Sequence, residues 1–175
     1  SQTSLVDAAA SVFTSGTYSW VAAGNNTIAN VGNTLEITYV DDANGAYVGF
    51  SDGSDLTTNL VVGQKYRLIF DAKYTGGSVG SRCFINTTPN VFSSDFTTSL
   101  ATYTLEFIAD SAVANAFRVH SMSANNIVTI DNWYLYEIGA TLALEPEGIK
   151  MPKWYDSSTN ALDAAYPTAG SSLTL

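Results

Sequence analysis

The residue types that could do chemistry gather on two short runs. In "RCFIN" and "AFRVH", Arg82 and Phe84, and Arg118 and His120, alternate with apolar neighbours. In a strand that period sends all four to the side away from the core. Aromatic rings lie flat against the C–H faces of a sugar, and planar polar groups satisfy its hydroxyls. Trp20 and Tyr47 are read at the rim of the same face. The other reading is an ordinary mixed surface, with Trp20 in the core.

Catalysis has less to work with. His120 is the single histidine, so a nucleophilic triad would need it beside Ser121 and an aspartate, yet no G-x-S-x-G elbow accompanies it. Glycoside hydrolysis needs two carboxyl groups roughly 5 to 10 Å apart across a cleft. Glu36, Glu106 and Asp71 fall at strand positions that charge occupies anyway as solvated surface. "DDANG" and "SDGSD" are explained as turns by Asp, Asn and Gly chemistry. The lone Cys83 is expected buried and inert on its strand. The sequons at Asn25 and Asn86 are chance matches in a chain rich in Asn, Ser and Thr. A protein without enzymatic activity is expected.

Sixteen Asp and Glu against seven Lys and Arg give 175 residues a net charge of −9. This excludes sequence-independent binding to a phosphate backbone, which runs on clustered cations, and argues equally against an anionic membrane surface. No apolar run reaches the ~20 residues of a membrane span. The start at Ser1, with no signal peptide, and the stop in "SSLTL" leave open a processed or excised piece of a longer chain.

These residues need a scaffold, and the hydropathy pattern supplies one. In "KYRLIFDAKY" (65–74), Tyr66, Leu68, Phe70, Ala72 and Tyr74 alternate with Lys65, Arg67, Ile69, Asp71 and Lys73, the period of a sheet with one wet face. "TLEITYV", "TYTLEFIA" and "AFRVHSM" repeat it, while "AGNN", "NVGN", "SDGSD" and "YTGGSVG" punctuate them as turns. Many short strands so spaced predict an all-β fold, a two-sheet antiparallel sandwich or jelly roll. Leu35, Ile37, Tyr66, Leu68, Phe70, Leu105, Phe107, Val119, Trp133 and Leu135 should fill its interior. "SLVDAAASVF" is read as one helical turn or a loose edge segment.

The run "NNIVTIDNWYLYEIG" (125–139) is the puzzling one. It places Trp133 and Leu135 on one face and Tyr134, Tyr136 and Ile138 on the other, so both faces are aromatic. The chain is read as a sandwich over 1–139 and an extension over 140–175 that docks on a surface. The extension's Trp154, Tyr155 and Tyr166 would cover Tyr134, Tyr136 and Ile138, alone or with another copy of the chain.

The succession "GTYSWVAAGNNTIANVGNTLEITYV", "GAYVGF", "LVVGQKYRLIFDAKY", "LATYTLEFIA" and "VTIDNWYLYEIG" resembles the jelly-roll carbohydrate-binding modules of the CenC type, families 4 and 9, over about residues 12–138. "KWYDSSTNALDA" resembles a segment that follows such modules in tailed-phage structural proteins. The resemblance implies a virion protein (tail fibre, head fibre or capsid decoration) on the particle surface or otherwise extracellular. It implies self-association, with a trimer favoured, contacts with other virion proteins, and attachment to cell-surface glycans. Neither nucleic acid nor membrane insertion belongs to this picture. The alternative is an accessory module of a secreted bacterial glycosidase. In the resembling modules the Asp of the closing "I-D-N" helps hold a structural calcium near the N-terminal segment, which carries over to Asp131, with Asp7 and backbone carbonyls assisting. The other reading gives Asp131 and Asn132 hydrogen bonds to a neighbouring loop. The modules' opening "N-x-x-F-E" is replaced here by "SLVDAAASVF".

Overall fold

The computed structural model describes residues 3–40, 44–76, 80–120 and 124–139. Trp154, Tyr155, Tyr166 and the rest of the extension read from 140 to 175 lie outside the described residues. The elements run α1 (Ala8–Ser11), β1 (Val21–Ala22), β2 (Thr27–Val31), β3 (Thr34–Thr38), β4 (Asn44–Gly49), β5 (Lys65–Thr75), β6 (Arg82–Ile85), β7 (Val91–Phe92), β8 (Ala101–Ile108), β9 (Ala116–His120) and β10 (Ile127–Glu137). They form two five-stranded sheets, ordered β1-β4-β9-β6-β7 and β2-β3-β10-β5-β8. Every pairing is antiparallel. The fold is the expected β-sandwich.

Alternation decides which residues fill it. Along β5, Tyr66, Leu68, Phe70, Ala72 and Tyr74 are buried, while Lys65 and Arg67 are exposed and Ile69, Asp71 and Lys73 half-buried. All the residues expected in the interior are buried there. On the wet face Glu106 of β8 reaches both Lys65 and Arg67 at 2.6 Å. The hydrogen bonds from these two cations hold its carboxyl below the usual range.

Strand β10 changes phase midway, and this decides which of its two aromatic sets faces the core. Val128 and Ile130 are buried opposite Ile37 and Leu35. The pairing with β5 then shifts between Asp131 and Tyr134, and beyond the shift Trp133 and Leu135 are the buried residues. Asn132 absorbs the extra residue with φ at 50°, a left-handed conformation that Asn tolerates better than most side chains. Uninterrupted alternation from Ile130 would have sent Asn132 and Tyr134 inward and Trp133 out.

Once inside, Trp133 joins the sandwich to the start of the chain. Its ring meets Trp20 edge-on at 5.9 Å and stacks near Phe50 at 6.5 Å. Its indole N–H donates to the Ala10 carbonyl at 2.9 Å, fixing α1 against β10. Leu5 donates its N–H to the Leu135 carbonyl at 2.7 Å, and Val6 bridges to Leu56. "SLVDAAASVF" is therefore both a helical turn and an edge segment.

Two substitutions test this architecture by chemical denaturation. Leu68→Ala should destabilise by about 2–5 kcal/mol, the usual cost of deleting a buried leucine side chain; a loss below about 1 kcal/mol would contradict the burial. At the phase change, Asn132→Val and Asn132→Gly both remove the amide, so their difference isolates the backbone. Valine should be the less stable by about 1–2 kcal/mol, the penalty for a side chain in the left-handed region. Equal stabilities would contradict the bulge.

Candidate functional site

The outward face of the β1-β4-β9-β6-β7 sheet collects five of the residues singled out from the sequence. Val21 pairs with Tyr47, Tyr47 with Arg118, Arg118 with Phe84, and Phe84 with Phe92. One outward side chain from each strand thus forms a continuous row. At about 4.8 Å between strands the row spans roughly 19 Å. Arg82 and His120, paired with each other, stand beside it. Tyr47, Arg82, Phe84, Arg118 and His120 are half-buried, and Phe92 is 47% exposed.

Ring and cation contacts hold this face together. The Arg118 guanidinium lies 5.1 Å from the centre of the Tyr47 ring, and that of Arg82 lies 4.5 Å from the Phe92 ring. Phe84 and Phe92 pack at 5.3 Å, tilted by 34°. A guanidinium on a ring keeps its N–H edges free for ligand, so flat apolar surface and planar donors are presented side by side. Beneath the row, Cys83, Ile85, Phe117 and Val119 anchor the strands in the core. Burial pushes the Cys83 thiol well above its ordinary range, which suits a packing residue. Gly45 at the start of β4 lets the buried Tyr39 ring lie against the strand, where a Cβ would overlap that ring.

Trp20 does not join the face. It immediately precedes β1, so alternation turns it inward while Val21 points out. It is 4% exposed and packs edge-on against Phe117 at 5.3 Å. Phe92, in contrast, went unread. Its strand "VF" has only two residues, too few to display a period, and the available signal was its position between "TTPN" and "SSD" turn residues.

Asp131 and Asp7 have different surroundings from those the resemblance implies. Asp131 stands directly opposite Asp71 of β5, and burial, then the Asp71 charge, raises its pKa. The Asn132 amide bridges the two carboxylates, at 2.9 Å to Asp71 and 3.3 Å to Asp131, and Thr102 donates to Asp71 at 2.6 Å. Asp7 belongs to the N-terminal segment, where its N–H meets the Asp55 carbonyl at 2.9 Å. Among the described residues no three His, Cys, Asp or Glu side chains gather as a metal-ligating group. Calcium takes six to eight oxygens, and the donors at Asp131 are already occupied in a bulge-stabilising network. The residues present do not fit a calcium shared by Asp7 and Asp131.

On the opposite sheet, Tyr134 and Tyr136 are half-buried with ring centres 6.4 Å apart. Tyr136 and Ile138 line a shallow depression of about 300 Å³ with Arg67 and Ile69.

No family model matches the chain, and no curated protein matches its sequence. Its fold is similar to that of the CBM22-1 xylan-binding domain of Paenibacillus barcinonensis Xyn10C, at 13% identity and a TM-score of 0.52, over 69% of this chain and 86% of that one. It is also similar to the CBM22-1–GH10 modules of the Clostridium thermocellum N-terminal endo-1,4-β-D-xylanase 10B complexed with xylohexaose, at 12% identity and a TM-score of 0.58. There the match covers 83% of this chain but only 30% of the other. A family 29 carbohydrate-binding module complexed with mannohexaose matches at 13% identity and a TM-score of 0.50, over 79% of this chain and 92% of that one. The chain has the β-sandwich fold that these carbohydrate-binding modules share.

Proposed function

We propose that this chain is a non-catalytic carbohydrate-binding protein whose ligand lies across the β1-β4-β9-β6-β7 sheet, carried on the surface of a phage particle as a fibre or capsid decoration. The observation that carries the binding role is the unbroken row Val21–Tyr47–Arg118–Phe84–Phe92, which offers rings and planar donors on one face. The fold shared with carbohydrate-binding modules supports it. The virion setting rests on the resemblance of "KWYDSSTNALDA" to tailed-phage proteins. A trimer would cover the Tyr134–Tyr136–Ile138 patch, with Trp154, Tyr155 and Tyr166 of the extension contributing rings. Aromatic side chains each bury ~150–250 Å² when covered, and cyclic association is the economical way to cover them.

The second reading, an accessory module of a secreted glycosidase, is favoured by the xylanase in which a similar fold shares one chain with a GH10 module. The two readings differ in what the chain joins: copies of itself, or a catalytic domain.

Two experiments test the proposal. On a glycan array the intact protein should be retained by at least one saccharide, and Phe84→Ala should weaken that retention about tenfold, as expected when a ring worth about 1.4 kcal/mol is lost. Absence of retention at high protein concentration, or full retention by the variant, would contradict the binding face. Native mass spectrometry of the full chain should show a trimer. A monomer at micromolar concentration would favour the accessory-module reading.

A further inference from the structure

The two arginines of this face differ from the two cations that Glu106 holds on the opposite sheet. Lys65 and Arg67 are both engaged by Glu106. Arg82 and Arg118 face rings instead, those of Phe92 and Tyr47. They are diagonal neighbours on β6 and β9, since Arg82 pairs with His120 and Phe84 with Arg118. Diagonal positions across a strand pair lie about 7–8 Å apart, and from there the two guanidiniums lean to opposite sides, Arg82 over Phe92 of β7 and Arg118 over Tyr47 of β4, so they address separate anionic groups along one chain. The outward positions of β1, β6, β7 and β9 among the described residues include no Asp or Glu. A chain with sixteen carboxylates against seven cations thus holds two arginines on one face whose described outward strand positions carry no acid.

A neutral glycan would not call for this arrangement. Among the described residues neither guanidinium has a carboxylate partner, and a sugar hydroxyl supplies no countercharge. A carboxylate or sulfate would supply that countercharge and accept paired N–H bonds from a guanidinium whose plane is already fixed by its ring. The exposed Phe92 ring and the half-buried Phe84 ring would lie against the sugar's C–H face while each arginine holds a charged group at its own side of the row.

We infer that the saccharide bound on this face is anionic, a glycan bearing uronate or sulfate groups, with Arg82 and Arg118 as its charge-reading residues and Tyr47 and Phe92 as the plates that orient them. The inference rests on the binding role proposed above for the same face, and its test separates the two.

The full chain is titrated against polygalacturonate and its carboxyl-reduced counterpart, against a sulfated polysaccharide and its desulfated counterpart, and against neutral xylan. At least one charged polymer should bind about tenfold or more tightly than its neutralised counterpart, the scale of one charge-assisted hydrogen bond. Arg82→Gln and Arg118→Gln, with unchanged melting temperatures, should each erase most of that preference. Phe84→Ala should weaken charged and neutral polymers alike. The favoured pair identifies carboxylate or sulfate as the group read. Equal binding of a charged polymer and its neutralised counterpart, or binding to xylan alone, would overturn the inference and leave the binding face standing. A charge preference that survives both arginine substitutions would also overturn it. Failure to bind any of the five would overturn both.

Discussion

The phase change at Asp131–Asn132 is the constraint on which the rest of the molecule depends. β10 lies at the centre of its sheet, between β3 and β5, so its alternation sets what the interior receives from three strands. The extra residue lets Val128 and Ile130 on one side of the bulge and Trp133 and Leu135 on the other all face inward. Trp133 then spans the sandwich, touching Trp20 and Phe117 from the opposite layer and holding the N-terminal turn through Ala10. The polar cluster of Asp71, Asp131, Asn132 and Thr102 is the outer side of the same bulge. It is explained by backbone geometry, where the closing "I-D-N" had suggested a metal.

With the core fixed from β10, the two sheets are free to differ outside. The β2-β3-β10-β5-β8 sheet engages Lys65 and Arg67 with Glu106 and leaves a small tyrosine pair on its surface. The β1-β4-β9-β6-β7 sheet keeps its arginines on aromatic rings. That division is what sets the proposed recognition face apart from the other sheet. It also shows how a strongly acidic protein can present arginines beside rings: the described outward positions of β1, β6, β7 and β9 carry no Asp or Glu.

Strand alternation made most of the fold legible. β5 and β8 repeat their pattern for eleven and eight residues, and over such lengths a period of two has no competing interpretation. The same logic brought Arg82, Phe84, Arg118 and His120 together, because residues two apart on neighbouring strands share a face once the strands pair. Where runs were short, the pattern could not speak. Phe92 sits on a strand of two residues, and Trp20 just outside another, so neither run is long enough to display which side each takes. The bulge itself was visible only indirectly, in the odd spacing between Ile130 and Trp133; phase changes leave no local signature beyond an Asn able to take a positive φ.

The most direct test of the account is the map of backbone amide shifts as a soluble oligosaccharide that the protein retains is titrated into labelled full-length chain. The account predicts perturbations centred on Tyr47, Phe84, Phe92 and Arg118, running across β4, β9, β6 and β7 and leaving β5 and β10 unchanged. Perturbations centred on Tyr134 and Tyr136, or spread over the β2-β3-β10-β5-β8 sheet, would contradict it.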